Sequence, residues 1–386
     1  MEDPGETEER PLADVRVIDL TQYEAGPSAT QILAWLGADV LKIERPGGEP
    51  GRHLAGAKPP GEGISRRDAA FFLLFNQSKR SRVLDLREPE GRARLDALLS
   101  EADVLAENFA PGTAESLGLG SERLRRDFPR LIVARIRGYA RGGPWERFKS
   151  LDFVAQATGG AMSVTGEPDG PPTRMGVTVA DSGAGLHLCI GILAALHRRQ
   201  RTGRGGQVEV ALQDVIVSLM RTAMIPTLRT GEPAPRTGSD FPGTAPSGLH
   251  PCAPGGPNDW VYLLLASNRH WEGVLRAIGR EDLVGDARYA RQSSRNAGEA
   301  EVRALVSRWT RERDKFEAME RLSAEGVPCG AVLDARELLA NPQLRDSGMI
   351  VELEHPGWGR LALPGCPIRL DGPPPRIEPA PPLDEA

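Results

Sequence analysis

The sequence predicts an α/β protein in which a large Rossmann-like domain is followed by a smaller α/β domain. Three observations carry that expectation. A chain of 386 residues, 40% of them hydrophobic, exceeds the size at which a single core usually stops growing, so two lobes are expected. From residue 15 to residue 139, short β-branched runs alternate with amphipathic helical stretches, the pattern of βαβ units around a parallel sheet. Between 226 and 258 the composition turns to Pro, Gly, Ser and Thr with little periodicity, and a second strand and helix alternation begins at 259. The expected division is a large domain over 1–225, a linker over 226–258, a small domain over 259–330 and a C-terminal segment over 331–386.

The strand runs of the first domain are VRVIDL (15–20), ADVLKIE (38–44), SRVLDL (81–86), DVLAENF (103–109) and LIVARIRGY (131–139). Between the first two, Ser28 is placed to cap a helix that runs to Leu36 and closes at Gly37. Between the third and fourth, Pro89 suits a first helical turn, and Leu95, Leu98, Leu99 and Ala102 form one apolar face. Farther on, an apolar helix over 182–200 leads through TGRGG to a strand QVEVAL and a helix from Gln213. The second domain reads as a strand DWVYLLLA (259–266), helices near 268–279, 297–311 and 314–324, and strand-like runs PCGAVLD and MIVELEHP in the tail. The first βα turn lacks a GxGxxG loop, which disfavours a nicotinamide or flavin cofactor.

The formal charge of -5 comes from well-mixed signs without a long basic run, so neither nucleic acid nor an anionic membrane is expected as a partner. Cys189, Cys252, Cys329 and Cys366 form no CxxC pair and read as reduced thiols of a cytoplasmic protein. The acidic start MEDPGETEER has no apolar core, and no stretch is expected to supply the roughly 18 to 20 apolar residues of a membrane span. The six histidines show no metal-ligand spacing and there is no GxSxG elbow, so neither a metal site nor a serine hydrolase is predicted.

Two aspartates stand where chemistry is plausible. Asp181 follows the run GVTVA and precedes Ser-Gly-Ala-Gly and the long apolar helix. An aspartate there is an ordinary N-cap; the same position lets the helix N-terminus keep a carboxylate ionised and aimed, and offers the following backbone N–H groups to an oxyanion. Asp152 opens the helical stretch DFVAQATGG and reads either as a cap or as a second functional acid. Arg45, Lys79, Arg80 and Lys149 stand at the ends of expected elements. Ligands of open α/β sheets gather at the carboxyl ends of the strands, which favours Arg45 for a phosphate.

Taken in order, PLADVRVIDLTQYEAGPSATQILAWLGADVLKIERPGG, FNQSKRSRVLDLREPEGR, ADVLAENFAPGTAESLGL, LDFVAQATGGAMSVTGEPDGPPTRMG and VADSGAGLHLCIGILAALHRRQRTGRGGQVEVALQD resemble the class III CoA-transferase family, from Pro11 to about Pro382. The resemblance implies an enzyme that moves CoA from an acyl-CoA donor to a free carboxylic or dicarboxylic acid through an aspartyl-CoA thioester, with Asp181 as nucleophile and Asp152 as the second acid. It implies that Glu24, Ala25, Arg45, Lys79, Asn108, Phe109 and Lys149 line the CoA site, with Gly26 beside Ala25. Coenzyme A enters as a substrate, and no permanently bound cofactor is implied. The branch acting on formyl-CoA and oxalate carries glutamine where this chain has Glu24, and arginine where it has Ser116. The racemase branch places a histidine at Leu151, and leucine cannot exchange an α-proton. A racemase or epimerase, and a non-catalytic subunit of a heteromeric transferase, remain as alternatives. The family's interlocked-ring homodimer implies that the linker and the tail cross between subunits and that the C-terminal segment returns to the large domain. Arg174 is placed to meet a second carboxylate of the acceptor.

Overall fold

The computed structural model describes residues 10–54, 69–371 and 374–383; the acidic residues 1–9 lie outside them. The chain divides into two compact units, one built from 1–162, 174–232 and 342–386, the other from 163–173 and 233–341.

The first unit holds a six-stranded sheet of β1 (Arg16–Asp19), β2 (Asp39–Glu44), β3 (Arg80–Val83), β4 (Val104–Glu107), β5 (Ile132–Arg137) and β6 (Gly206–Ala211), in the order β3-β2-β1-β4-β5-β6. All neighbours are parallel. The order reverses between β1 and β4, which opens a crevice at the carboxyl ends of the strands. Strand residues alternate between two faces, and both are covered: Val17, Val104 and Ile132 join one core cluster with Leu33 and Leu188, while Ile18, Leu105 and Val133 join another with Leu95 and Leu124. That is why the strands read as continuous apolar runs.

Eight helices of this unit bear on the argument: α1 (Ala25–Trp35), α2 (Ala70–Phe75), α3 (Pro89–Glu101), α4 (Thr113–Ser116), α5 (Ser121–Asp127), α6 (Asp152–Thr158), α7 (Val179–Thr202) and α8 (Leu212–Leu219). Two starts differ from expectation. Helix α1 begins at Ala25, with Glu24 at its N-cap and Ser28 in its fourth position. Pro27 is tolerated in a first turn because no helical acceptor awaits its missing N–H. Helix α7 begins at Val179, so Asp181 is its third residue rather than its cap. Gly37 does close α1, at φ 105°.

Helices α1 and α7 pack closely because Gly185 has no side chain: a Cβ there would lie 2.9 Å from the Ala25 carbonyl oxygen and 2.7 Å from Ser28 Cβ. Helix α7 is also long and apolar enough to cross a membrane, which the sequence reading did not expect; its Leu188, Ile192 and Leu196 are packed into the core instead.

Beneath α1 lies a buried ionic floor. Asp19 accepts from Lys79 Nζ at 3.0 Å and from the hydroxyls of Thr21 and Thr30, with Lys42 Nζ at 4.0 Å. A hairpin of Ile350–His355 and Gly359–Pro364 and the tail that follows also belong to this unit. Glu378 exchanges hydrogen bonds with Ser78, and Arg52 donates to the Pro381 carbonyl oxygen.

The second unit is built on an antiparallel sheet of β7 (Gly248–Pro251), β8 (Trp260–Leu263) and β9 (Cys329–Ala331). Its core gathers Val261, Leu263, Trp271, Val274, Val306 and Leu322. Residues 226–258, read from sequence as a linker, contain strand β7 and all but the first residue of a helix over Ile225–Thr230. Short elements bounded by Pro and Gly give little periodic signal. All four cysteines are free.

Candidate active site

A cavity of about 1050 Å³ opens at the carboxyl ends of β1, β2, β4 and β5. Each strand contributes its end and the loop that follows: Leu20–Tyr23 after β1 with Ala25 at the start of α1, Arg45–Glu49 after β2, Asn108–Pro111 after β4, and Arg137 at the end of β5 with Gly138 and Phe148–Leu151 beyond it, with Asp181 joining from α7. Six residues singled out from sequence, Ala25, Arg45, Asn108, Phe109, Lys149 and Asp181, are thereby brought to one cavity. Asn108 clamps two loops together, accepting from Gln22 N–H at 2.8 Å and donating to Gln22 C=O at 2.8 Å. Tyr23 sits beside it at φ 64°, and its N–H is held by Glu49. A non-glycine residue in that conformation stores strain at a site wall.

Lys79, Glu24, Asp152, Ser116 and Arg174 do not line the cavity. The Lys79 side chain is fully buried and its ammonium is spent on Asp19, the Pro27 carbonyl and Asn76. It supports the floor under α1 rather than reaching a ligand. Arg174 stacks over the Phe153 ring at 4.5 Å. Arg137 and Phe148 do line the cavity and were missed. Arg137 closes β5 in the structure, but the sequence run reaches Tyr139, so it did not stand out as an end-of-strand cation; Phe148 sits in a loop with no such mark.

The start of α7 is organised by carboxyl groups. Asp152 Oδ2 accepts the N–H groups of Ala180 at 2.8 Å and Asp181 at 3.0 Å, and Oδ1 accepts from Gln156 Nε2 at 2.6 Å. Asp152, the first residue of α6, thus caps a helix other than its own. Glu24, only 3% exposed, accepts from the hydroxyls of Thr178 at 2.5 Å and Ser182 at 2.8 Å on Oε1. Burial raises its pKa above the ordinary value, the two hydroxyls oppose that, and Asp152 adds to it. The Asp181 carboxyl accepts no hydrogen bond among the described residues. Its burial, with Glu24 and Asp152 beside it, pushes it up to about 7.

Two expectations are corrected here. The helix N-terminus does not hold Asp181 down as a carboxylate: its first amides, Ala180 and Asp181 N–H, donate to Asp152, and burial raises the Asp181 carboxyl instead. Nor are those amides free for an oxyanion: Val179 donates to the Val177 carbonyl, Ala180 and Asp181 to Asp152, and Ser182 to the Thr178 carbonyl. The N–H groups of Ala25 and Gly26, which open α1, donate to nothing among the described residues. No cluster of His, Cys, Asp and Glu able to hold a metal occurs among them either.

A doubly wound parallel sheet with a cation-bearing cavity at its switch point, and an unpartnered carboxyl in the wall, defines an α/β enzyme for an anionic, nucleotide-sized substrate. Comparison with known proteins narrows the class. The sequence model of CoA-transferase family III matches residues 12–385, and the chain belongs to that family. It is 37% identical over 387 residues to formyl-CoA:oxalate CoA-transferase of Streptomyces coelicolor, covering 97% of this chain and 92% of that one. The enzyme of the same name from Rhodopseudomonas palustris is 37% identical over 97% of this chain and 91% of its own. Among solved structures, a CAIB/BAIF family protein from Brucella suis superposes with a TM-score of 0.86 at 32% identity, covering 97% of both chains. Rv3272 from Mycobacterium tuberculosis gives 0.80 at 30% identity, again over 97% of both. The protein is a transferase whose substrates are CoA thioesters.

Proposed function

We propose that the enzyme transfers CoA from an acyl-CoA donor to a free carboxylic acid through an aspartyl-CoA thioester on Asp181, with formyl-CoA and oxalate as the first pair to try. The observation that carries this is the Asp181 carboxyl, free of hydrogen-bond donors, in the wall of the cavity that also holds Arg45, Asn108 and Lys149. The relatives' names support the substrate pair. CoA phosphates sit toward Arg45 and Lys149, and its thioester reaches Asp181.

Ionised Asp181 attacks the thioester carbonyl; the C–S bond breaks, leaving CoA thiolate and an acyl-aspartyl anhydride. The thiolate attacks the aspartyl carbonyl and releases the donor acid. The acceptor carboxylate then attacks the aspartyl-CoA thioester, and the expelled thiolate takes the acceptor acyl group from the second anhydride, restoring Asp181. The Ala25 amide, at the cavity wall, is the donor to each oxyanion, a contact typically worth about 3 to 4 kcal/mol. Leu151 beside Asp152 has no proton to exchange, which sets racemisation aside.

The active form is a homodimer working in the cytoplasm. Support comes from Leu186 and Ile190 of α7, 51% and 64% exposed, apolar side chains that a second copy would cover. The functional test is Asp181→Ala: transfer falls by at least about four orders of magnitude, as for other covalent nucleophiles, while CoA affinity stays within a few-fold. Normal transfer in that variant would overturn the assignment.

A further inference from the structure

The carboxyl groups at the start of α7 receive hydrogen-bond donors unequally. Asp152 has three N–H donors, Glu24 has two hydroxyls and Asp181 has none. Like charges held this close resist full ionisation, and a shared proton goes to the carboxyl least supported by donors. That group is Asp181, the nucleophile. Asp152 is engaged by the first-turn amides of α7 and by Gln156. Glu24 accepts from two hydroxyls, which can also donate to an amide oxygen.

Resting on Asp181 as nucleophile, we propose that Glu24 is the positioning residue that decides when it can attack: the Glu24 carboxylate, pinned to Thr178 and Ser182, keeps the proton on Asp181 and so sets the acid limit of transfer. Asp152 adds to this effect, while the remaining charged groups about Glu24 are engaged elsewhere. Glu49 is engaged with the amides of Tyr23 and Gly51, and Lys79 and Lys42 are turned to Asp19 below α1. His187, one turn beyond Asp181's neighbours, is bonded to the Gly183 carbonyl. When the proton leaves, it passes from Asp181 to solvent through the cavity that Asp181 lines.

A glutamine at this position would not hold the proton on Asp181 in this way, and Glu24→Gln tests it. Glutamine keeps one oxygen as the acceptor for Thr178 and Ser182, removes the charge and puts an NH2 group in place of the second oxygen. The profile of kcat/KM against pH reports the free enzyme. In the wild type its acid limb is expected near 7, leaving Asp181 about one-tenth ionised at pH 6. In Glu24→Gln the limb moves to lower pH, so the variant retains several times more of its plateau rate at pH 6; Glu24→Asp keeps the wild-type limb. Ser182→Ala withdraws a donor from Glu24, shifts the proton toward it and moves the limb the same way by less, which keeps the test open should Glu24→Gln fold poorly. Coincident limbs in Glu24→Gln and wild type, with Asp181→Ala inactive, overturn this proposal alone. Transfer by Asp181→Ala at any pH overturns the nucleophile reading and this proposal with it.

Discussion

Two aspartates of the same unit, Asp19 fully buried and Asp181 half-buried at the cavity wall, end in opposite states. Burial pushes each pKa upward. At Asp19 that push is outweighed by Lys42, Lys79 and the hydroxyls of Thr21 and Thr30, which hold the carboxyl well below the ordinary range. At Asp181 nothing opposes it, and Glu24 and Asp152 reinforce it. Burial alone therefore does not tell a structural carboxylate from a reactive one; the donors around it do. Asp19 is the anchor of a floor, and Asp181 is left uncompensated where a substrate can reach it.

The largest effect should come from breaking the floor. Lys79→Met leaves Asp19 with a more distant cation, and removing one partner of a buried pair costs about 3 to 5 kcal/mol. Thermal or denaturant unfolding checks this, and any fall in CoA binding should follow the loss of folded protein rather than exceed it.

A smaller effect, of opposite sign, is expected at the nucleophile. Because the folded pKa of Asp181 lies above its ordinary value of 3.8, the native state binds the proton more tightly than the unfolded chain. Stability therefore declines as pH rises from about 4 to about 7, and the penalty persists above that. Asp181→Asn removes it, so the variant should be more stable than wild type at pH 8 by on the order of 2 kcal/mol, and the gain should vanish toward pH 4. Melting curves at both pH values measure it. Asp19 works the other way: its depressed pKa contributes stability above about pH 4 that is lost as pH falls.

The smallest change is expected for Asp152→Asn. Asparagine caps a helix about as well as aspartate, so stability should move by less than about 1 kcal/mol. The acid limb of transfer should still fall, because one of the two charges facing Asp181 is gone. Unchanged melting with a shifted pH profile would separate capping from electrostatics.

The comparison also marks how far the sequence is readable. The strands of the parallel sheet and the place of Asp181 at the head of an apolar helix were legible, because both are local patterns of a few residues. Lys79 and Arg45 carry the same mark, a cation near the end of an expected element, yet one is sealed against Asp19 and the other faces the cavity. The partner that decides between them lies 60 residues away in sequence. Asp152 was legible as a cap or a functional acid, but not as the cap of a helix beginning far downstream of it. Glu24 stood out as a departure from glutamine; its bonds to Thr178 and Ser182 span more than 150 residues and leave no periodic trace.

The central claim is that Asp181 forms a covalent bond to acyl groups and to CoA. Its most direct test is intact-mass analysis after incubation with formyl-CoA, succinyl-CoA or acetyl-CoA, followed by hydroxylamine and peptide mapping. A hydroxamate confined to Asp181 is the expected result, and it would also identify the donor. Measurable CoA binding with no adduct from any donor, or a hydroxamate on Glu24 or Asp152 instead, would contradict the account.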